Sequence, residues 1–330
     1  MPPSSKPANI LVIRRDNIGD LVCTLPMISS LRRQCPGAWI GVLCNSYNVA
    51  VLAGNRDIDA VFAYRKAKHR PPGTSRLTVW LETARLLWRL RRRSIDLAIV
   101  ASPGGERFAR LVGAKRIISD KRAPAHEAEA CLDLLSHLGL SAEPGPFSPV
   151  RADPARRAAF VSRLASRPGP VVGIHLSARR PSQRWPAERF AALARELVAS
   201  RQAGQVLLFW APGAADDPLH PGDDEKAAQV LAQLDGLPVV PMPTQALEDL
   251  IAGLDLCDRV ICADGGAMHL AAGLGKPIVC LFGDSPTVRW RPWGVPYELL
   301  QAPSKDVRDI AVEEVAAALG RLTETAAAHG

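Results

Sequence analysis

The chain has 330 residues, 47% of them hydrophobic and 22% charged, which is the composition of a globular protein and excludes a disordered one. It contains no run of the roughly 18 apolar residues that a membrane span requires, and its first residues lack the apolar core of a signal peptide, so we expect a cytoplasmic protein. The net charge of +8 is uneven, because residues 1–166 contain 26 Lys/Arg against 13 Asp/Glu and residues 167–330 contain 15 against 20; the first half is therefore expected to face an anionic partner.

The first half alternates short apolar runs with amphipathic segments, which is the pattern of βα units around a parallel sheet. The apolar runs predict strands at residues 9–13, 39–43, 60–63, 96–101 and 116–118, and the amphipathic segments predict helices at residues 20–33, 76–92, 105–111 and 125–138. A stretch rich in proline and glycine at residues 141–150 is typical of a linker. Since the whole chain is too long for one ordinary core, we predict two domains, residues 1–150 and 151–330.

The first strand is followed by a turn at Gly19 and by the carboxylate of Asp20. The G-x-G-x-x-G fingerprint of dinucleotide-binding proteins is missing here, which argues against an NAD-linked oxidoreductase. At a bare helix start Asp20 would serve as an N-cap. At the carboxyl end of a parallel strand, where ligands bind, it could instead take a proton from a sugar hydroxyl within about 3 Å. These residues alone leave both interpretations open.

A basic segment follows the third strand and leads into a helix with an apolar stripe. The basic residues of interest are Arg65, Lys66, Lys68 and Arg70, and the stripe consists of Leu77, Trp80, Leu81, Ala84, Leu87 and Trp88. The helix could cover the sheet and end in cationic residues that its dipole favours. Alternatively, the loop and the helix end contact anionic groups at a membrane surface. No nucleic-acid partner is predicted, because the basic residues lack the aromatic interleaving of a known module.

The second half repeats the βα pattern. It predicts strands at residues 170–176, 205–210, 238–240, 259–262 and 277–282, and helices at residues 186–200, 224–234, 245–253, 266–274 and 307–327. Two successive α/β halves of similar size indicate two Rossmann-like domains with parallel sheets that face a central cleft.

The strand at residues 170–176 ends in a loop that is rich in arginine. Its polar residues are Ser177, Arg179, Arg180, Ser182, Gln183 and Arg184. Pro186 and Glu188 explain the start of the following helix, but they do not explain three arginines at the mouth of a strand. Guanidinium groups at that place could balance a diphosphate without a metal ion.

The strand at residues 259–262 is followed by Asp264, Gly265 and Gly266 and by a helix of small residues that contains His269. A glycine pair that opens a helix leaves backbone N–H groups at the positive end of the helix dipole, which suits a pyrophosphate. The glycines could equally allow helix and strand to pack closely. This segment alone therefore favours phosphate binding only modestly.

No metal site and no cofactor are predicted. Asp57 and Asp59 have the D-x-D spacing of metal-dependent sugar transferases, but they precede a short strand outside any phosphate loop and are interpreted as turn residues. The spacings of cysteine and histidine do not match a zinc site.

Three motifs occur in an order that resembles glycosyltransferase family 9, the ADP-heptose:lipopolysaccharide heptosyltransferases. They are residues 13–26, Trp185-Pro186 with Phe190, and residues 264–283; His126-Glu127 before an amphipathic helix matches a further feature. The resemblance covers nearly the whole chain. It implies a GT-B fold, with an acceptor-binding Rossmann-like domain at residues 1–150. A nucleotide-sugar-binding Rossmann-like domain with a terminal helix would occupy residues 151–330.

The resemblance also implies the reaction, a metal-independent and inverting transfer of heptose from ADP-heptose to the lipopolysaccharide inner core. Asp20 matches the general base that is proposed for the family. The expected donor site consists of Ser177, Arg180, Gln183, Arg184, Asp264, Gly265, Gly266 and His269. The expected acceptor site consists of Asn17, Gly19, Arg65, Lys66, Lys68 and Arg70. The implied partners are an ADP-sugar and an anionic lipopolysaccharide core, with peripheral contact to the cytoplasmic face of the inner membrane.

Two positions depart from the family pattern. Gln183 stands where the family usually has a lysine, and Gly265 stands where it commonly has Thr or Ser. The missing lysine removes a positive charge near the diphosphate, which Arg180 or Arg184 could supply. Three alternatives therefore stay open: another nucleotide-sugar donor, another acceptor glycan, and a non-catalytic relative that binds a nucleotide-sugar.

Overall fold

The computed structural model describes residues 7–65, 75–119, 126–164, 168–217 and 221–328. The chain divides into two compact units, Met1–Val150 and Arg151–Gly330. Each unit is built on one parallel sheet with helices between the strands, which confirms the predicted α/β class.

In the N-terminal unit the described residues form a five-stranded parallel sheet in the order β3-β2-β1-β4-β5. The strands are β1 Asn9–Ile13, β2 Trp39–Asn45, β3 Ala60–Tyr64, β4 Leu97–Val100 and β5 Arg116–Ile118. The helices are α1 Ile18–Val22, α2 Leu25–Gln34, α3 Arg76–Arg92, α4 Glu106–Leu111 and α5 Glu127–Asp133. The central strands β1 and β4 are almost entirely buried, since helices cover both faces of a parallel sheet.

In the C-terminal unit the described residues form a six-stranded parallel sheet in the order β11-β10-β9-β6-β7-β8. The strands are β6 Val171–His175, β7 Gln205–Trp210, β8 Val239–Pro243, β9 Arg259–Ala263, β10 Ile278–Phe282 and β11 Tyr297–Gln301. The helices are α6 Pro154–Val161, α7 Ala187–Ala199, α8 Asp224–Leu231, α9 Leu247–Asp255, α10 Gly266–Gly273, α11 Thr287–Trp290 and α12 Val312–Ala328. The core of this unit includes Trp185, whose ring meets Phe190 edge-on at 5.1 Å and whose Nε1 donates to the carbonyl of Ile310.

Both sheets have a switch point where the strand order reverses. In the N-terminal unit the chain proceeds outward from β1 on one side and from β4 on the other, and in the C-terminal unit it does so from β6 and β9. The loops that leave the carboxyl ends of two such strands diverge, and the crevice between them is where open α/β sheets bind ligands. Asp20 follows β1, Gln183 follows β6 and Asp264 follows β9, so each predicted site lies at a switch point.

Several predicted elements have different bounds in the structure. The helix predicted at residues 20–33 is two helices, α1 and α2, because Pro26 has no N–H to donate into a continuous helix. The terminal helix begins at Val312, after a separate 3-10 turn at Val307–Asp309. Helix α6, the short helix α11 and strand β11 were not predicted from the sequence. Strand β8 continues to Pro243, and its prolines are tolerated because β8 lies at the edge of the sheet.

The side of α3 that packs on the sheet differs from the predicted one. Leu90 is fully buried, Val79 nearly so, and Leu86 and Leu87 pack against the same core cluster. Of the predicted stripe, Leu87 alone joins that cluster; Leu77, Trp80, Leu81 and Trp88 are exposed. The interpretation of that stripe as the sheet-covering face is therefore wrong, because α3 has two apolar sides and the other one faces the core.

Candidate active site

Asp20 lies on α1, directly beyond the carboxyl end of β1, and is 9% exposed. Its Oδ1 accepts a hydrogen bond from Nη2 of Arg14. Its Oδ2 accepts from the backbone N–H of Asn17 at 3.1 Å and from the side-chain amide of Asn17 at 3.0 Å. Asn17 is the N-cap residue and Asp20 the third residue of α1, so the N-cap interpretation of Asp20 is wrong. The carboxylate is instead held between a guanidinium and the helix start.

Arg14 is the group that fixes Asp20, although it is 1% exposed. Besides Asp20, its guanidinium donates to Oε1 of Glu127 at 2.8 Å and to the carbonyl of Ala101 at 2.6 Å. Burial on its own lowers the pKa of Arg14, but nearby Cys131, Asp20, Asp16 and Glu127 raise that pKa above its ordinary value. A buried guanidinium is stable only when such partners surround it. Arg14 therefore ties the residues beyond β1 and β4 to the start of α5.

The start of α5 explains why Glu127 reaches Arg14. The Nδ1 atom of His126 accepts from the backbone N–H of Ala128 at 3.0 Å, and Oε2 of Glu129 accepts from the backbone N–H of His126 at 3.1 Å. This reciprocal capping fixes the first turn of the helix. Glu127 is 1% exposed and points into the unit. The His126-Glu127 pair thus has a local structural role and supplies one partner of the buried charge.

The predicted acceptor residues do not all fall at Asp20. Asn17 bonds Asp20 directly, and Gly19 is buried within α1. Arg65 follows β3, two strands away from β1, and its Nε lies 3.8 Å from Oε2 of Glu82 on α3. Lys66, Lys68 and Arg70 lie outside the described residues.

In the C-terminal unit, Gln183 connects the two predicted donor segments. It ends the 3-10 turn Pro181–Gln183 beyond β6 and is 5% exposed. Its Nε2 donates to Oδ2 of Asp264 at 2.9 Å and to Oγ of Ser285 at 3.0 Å. Both amide protons are therefore used within the protein, so Gln183 positions Asp264 and does not replace the charge of a lysine.

Asp264 is a partly buried carboxylate at the switch point between β6 and β9. Burial raises its pKa above the ordinary value, and the charge of Asp284 acts in the same direction. A hydrogen bond from Ser285, the charge of Arg180 and the hydrogen bond from Gln183 act in the opposite direction. Any further hydrogen-bond donor that a ligand brings, such as a sugar hydroxyl, would stabilise the ionised form of this carboxylate.

Arg180 is the exposed cation of this site, with half of its side chain accessible. Its Nη1 lies 3.4 Å from Oδ1 of Asp284 and 3.4 Å from Oγ of Ser285, which are long contacts. Ser182 donates to the same Asp284 oxygen at 2.7 Å. A Cβ on Gly283 would come within 2.5 Å of the carbonyl oxygen of Ser182, so only glycine allows this loop to approach the end of β10.

Gly265 is the N-cap residue of α10, and the space around its Cα is open. Its backbone is extended, with φ of 162°, and a Cβ at this position would meet nothing within 4 Å. The interpretation that Gly265 serves close packing is therefore wrong, and the Thr or Ser of the family pattern would fit here. The unobstructed start of α10, with Gly266 as its first residue, presents backbone N–H groups and the positive dipole end to a ligand.

The remaining predicted donor residues support the loops around this site. Oγ of Ser177 accepts from the backbone N–H of Ala211 at 2.9 Å, and Nε of Arg184 donates to the carbonyl of Ala178 at 3.0 Å. His269 is 4% exposed on α10, and its ring meets Trp290 edge-on at 6.0 Å. The structure thus brings Arg180, Gln183, Asp264, Gly265 and Gly266 together, whereas the other three lie around them.

Three contributing residues escaped the sequence analysis, namely Arg14, Asp284 and Ser285, and Glu127 was noted there only as part of the family pattern. Asp284-Ser285 stands directly after the buried strand β10, where polar residues face the ligand edge of a parallel sheet. That position could have indicated from the sequence alone that both residues belong to the site. Arg14 likewise stands directly after β1. Its contact with Glu127 joins residues 113 positions apart, and no local pattern indicates it.

The two carboxylates with D-x-D spacing, Asp57 and Asp59, accept hydrogen bonds from other groups of the protein. Oδ2 of Asp57 accepts from the hydroxyl of Ser148 at 2.6 Å, and Oδ2 of Asp59 accepts from the backbone N–H of Ile40 at 2.7 Å. Across the described ranges, His, Cys, Asp and Glu side chains form no group of three or more that could hold a metal ion. In the same part of the chain, every helix is too short or too polar to cross a bilayer.

Similar solved structures identify the fold. The glycosyltransferase family 9 protein of Veillonella parvula DSM 2008 superposes with a TM-score of 0.81 at 20% identity, covering 98% of this chain and 99% of its own. The ADP-heptose LPS heptosyltransferase II of Escherichia coli superposes with a TM-score of 0.75 at 22% identity, covering 97% and 99%. The two Rossmann-like units are therefore those of the GT-B glycosyltransferase fold.

The sequence places the chain within that class. Residues 112–314, more than half of the chain, match glycosyltransferase family 9 (heptosyltransferase), and the chain belongs to this family. Lipooligosaccharide heptosyltransferase 2 of Haemophilus influenzae is 25% identical over an alignment 302 residues long that covers 83% of each chain. The chain is thus a glycosyltransferase. The family match includes Gln183 and Asp264 and leaves Asp20 outside.

Proposed function

We propose that this enzyme transfers a heptose from ADP-heptose to the lipopolysaccharide inner core, with inversion at the anomeric carbon and Asp20 as general base. Family membership supports glycosyl transfer, and the name of the similar Escherichia coli protein supports the donor. The observation that carries the proposal is the open start of α10 beside Asp264 and Arg180, because this arrangement suits a nucleotide diphosphate.

The donor diphosphate would bind at the start of α10. The backbone N–H groups beyond Gly265 would contact its oxygens, and Arg180 would turn from its long contacts with Asp284 and Ser285 to the phosphate. Asp264 would accept hydrogen bonds from donor hydroxyls, in the orientation that Gln183 fixes. Arg180, and not Arg184, would supply the positive charge of the missing lysine, since Arg184 already donates to the carbonyl of Ala178.

The base would act from the N-terminal unit. Oδ1 of Asp20 accepts from Arg14 and keeps a second lone pair for an acceptor hydroxyl, whereas Oδ2 already accepts two hydrogen bonds from Asn17. The acceptor oxygen bonds the anomeric carbon as the bond from that carbon to the diphosphate breaks, and the hydroxyl proton passes to Asp20. The start of α10 and Arg180 stabilise the charge on the leaving ADP. Base and donor site belong to different units, so the proposed reaction uses residues of both.

The acceptor proposal rests on charge. The excess of Lys/Arg in residues 1–166 fits a phosphorylated or carboxylated core oligosaccharide. Asn17 and Gly19 would lie next to the accepting hydroxyl, and Arg65 would meet more distant anionic groups. An acceptor that is anchored in lipid would place the enzyme at the cytoplasmic face of the inner membrane.

Calorimetric titration of the full chain with ADP, UDP, GDP and ADP-heptose, without added metal, tests this function. We expect selective binding of ADP and ADP-heptose, followed by transfer to a truncated lipopolysaccharide acceptor. Arg180→Ala should weaken ADP binding about tenfold, whereas Arg179→Ala, the matched neighbouring arginine, should not. A preference for UDP or GDP would indicate another donor, and no binding at all would indicate a non-catalytic relative.

A further inference from the structure

Helix α3 carries an apolar surface that nothing in the described chain covers. We name this surface the α3 ridge and define it as Leu77, Trp80, Leu81, Ala84 and Trp88. Leu77 and Trp80 are each 65% exposed, Trp88 is 58% exposed and Leu81 is 41% exposed. Their spacing places them along one side of the helix, roughly opposite the side with Val79 and Leu90 that packs on the sheet. A helix that only covered the sheet would have polar residues here.

The charges around the ridge have one sign. Between residues 76 and 93 the chain contains six arginines and one acidic residue, Glu82, which lies near Arg65. Arg85, Arg91 and Arg92 are exposed beside the ridge or at its end, and the guanidinium of Arg92 lies 4.8 Å from the centre of the Trp88 ring. The surface is therefore apolar along its centre and cationic along its border.

We propose that the α3 ridge docks on an anionic lipid surface. Tryptophan and arginine suit this position, because the indole lies at headgroup level and the long arginine stem lets the charge reach the phosphates. A helix of 17 residues is about 25 Å long and would lie flat in the interface. Contact with the ridge of a second copy would bring like charges together, which charge complementarity disfavours.

The orientation of α3 links this docking to the proposed reaction, on which this part of the inference rests. Glu82 lies beside Arg65 at the carboxyl end of β3, Arg89 lies over Phe62 within β3, and Arg93 lies over Trp39 at the start of β2. The first turns of α3 therefore lie at the edge of the sheet where Asp20 lies. A ridge resting on lipid would bring that edge toward an acceptor anchored in the same surface.

The test is flotation of the full chain with vesicles of phosphatidylethanolamine and phosphatidylglycerol, against vesicles of phosphatidylcholine alone. We expect binding to the anionic vesicles that weakens with salt, and about tenfold weaker binding by Trp80→Gln/Trp88→Gln. Leu111→Gln, which changes an exposed apolar residue of the same unit away from the ridge, should bind like the unchanged protein. Arg85→Gln/Arg92→Gln, which alters exposed side chains alone, should reduce the salt dependence.

Three results would overturn the proposal. The unchanged protein could fail to float with anionic vesicles, or both double variants could float as well as Leu111→Gln. Sedimentation could also reveal a dimer that Trp80→Gln/Trp88→Gln dissociates, in which case a second copy covers the ridge. The assay contains neither donor nor acceptor, so its result is independent of the nucleotide titration. Thermal unfolding and ADP binding of each variant verify that the fold is intact.

Discussion

Each unit has an aspartate at the switch point of its sheet, but a charged side chain contacts one aspartate and neutral side chains contact the other. Asp20 follows β1 and Asp264 follows β9, each beside the switch point of its sheet. The carboxylate of Asp20 accepts a hydrogen bond from the buried guanidinium of Arg14, which carries the opposite charge. Asp264 receives hydrogen bonds from the neutral amide of Gln183 and the hydroxyl of Ser285, and burial raises its pKa.

The difference between these carboxylates indicates different tasks. A carboxylate fixed by a buried guanidinium has a defined direction, which a base needs if it is to meet one hydroxyl. A carboxylate with neutral partners and an exposed cation nearby can bind a ligand that brings both hydroxyls and phosphates. The comparison therefore supports the proposal that Asp20 acts as the base and Asp264 binds the donor, and the predictions below separate the two roles.

The largest effect is expected for Asp20→Asn. The amide keeps the shape and can still accept from Arg14, but it cannot take the acceptor proton, so turnover should fall by about 10²- to 10⁴-fold. The measurement is heptose transfer to a truncated lipopolysaccharide acceptor. Asp16→Asn is the matched control, because Asp16 lies 3.6 Å from Nε of Arg14 without being the proposed base. Turnover of Asp20→Asn close to that of the control would contradict the role as base.

Asp264→Ala should have the next largest effect, and it should act on binding. Loss of the carboxylate removes the acceptor for donor hydroxyls and leaves the amide of Gln183 without one of its two partners. We expect the Kd for ADP-heptose to rise about ten- to a hundredfold, with little change in the melting temperature. Calorimetry that shows an unchanged affinity would refute this assignment.

Glu127→Gln should weaken the buried contact that positions Asp20. Gln can still accept from Arg14, but the guanidinium loses one compensating negative charge. We expect the free energy of unfolding to fall by about 1–3 kcal/mol, and kcat to fall about tenfold while the affinity for ADP is kept. Glu129→Gln, a change at the same helix start without contact to Arg14, serves as the control. Equal losses in both variants would indicate a purely local role in capping.

Two glycines near the donor site should respond in opposite ways to alanine. Gly283→Ala forces a Cβ against the carbonyl of Ser182, so the free energy of unfolding should fall by about 1–3 kcal/mol. Gly265→Ala adds a methyl group in open space on an extended backbone, and the free energy should change by less than about 0.5 kcal/mol. Chemical denaturation of both variants measures this difference. A large loss for Gly265→Ala would mean that the space at the start of α10 is filled.

The smallest effect concerns pH. Because the pKa of Asp264 is raised in the folded protein, its ionised form costs stability, and this cost is fully present above the raised pKa. The cost decreases as the pH falls through that raised pKa and vanishes below the ordinary pKa of 3.8. Asp264→Asn should therefore be slightly more stable than the unchanged protein at neutral pH, and the gain should disappear in acid. A gain that grows toward low pH would contradict the direction of the shift.

Local pattern was sufficient to predict much of the fold. Strand β1 contains the continuous apolar run Ile10–Ile13, and an apolar run is a signal that can be read within such a short window. Strand β11, Tyr297–Gln301, was missed because its residues are only half-buried and two of them are polar. For α3 the periodicity showed an apolar stripe. Which of two stripes faces the sheet depends on the tertiary packing of the helix, and the sequence does not contain that information locally.

For the candidate site, too, local sequence predicted the positions of single residues but not the contacts between distant ones. The placement of Asp20, Arg180 and Asp264 was predictable, because each lies in the segment that follows a buried strand of a parallel sheet. The bond from Gln183 to Asp264 spans 81 positions and that from Gln183 to Ser285 spans 102, so both arise from the strand order. The sequence indicated only a missing charge at Gln183, because the contact between its amide and Asp264 depends on the tertiary structure.

One measurement tests the division of roles most directly, namely titration of ADP-heptose into the unchanged protein, Asp20→Asn and Asp264→Ala under the same conditions. If Asp264 binds the donor and Asp20 acts on the acceptor, the first two proteins will have the same Kd and Asp264→Ala will bind about tenfold or more weakly. Equal weakening in both variants, or no weakening in Asp264→Ala, would contradict that division.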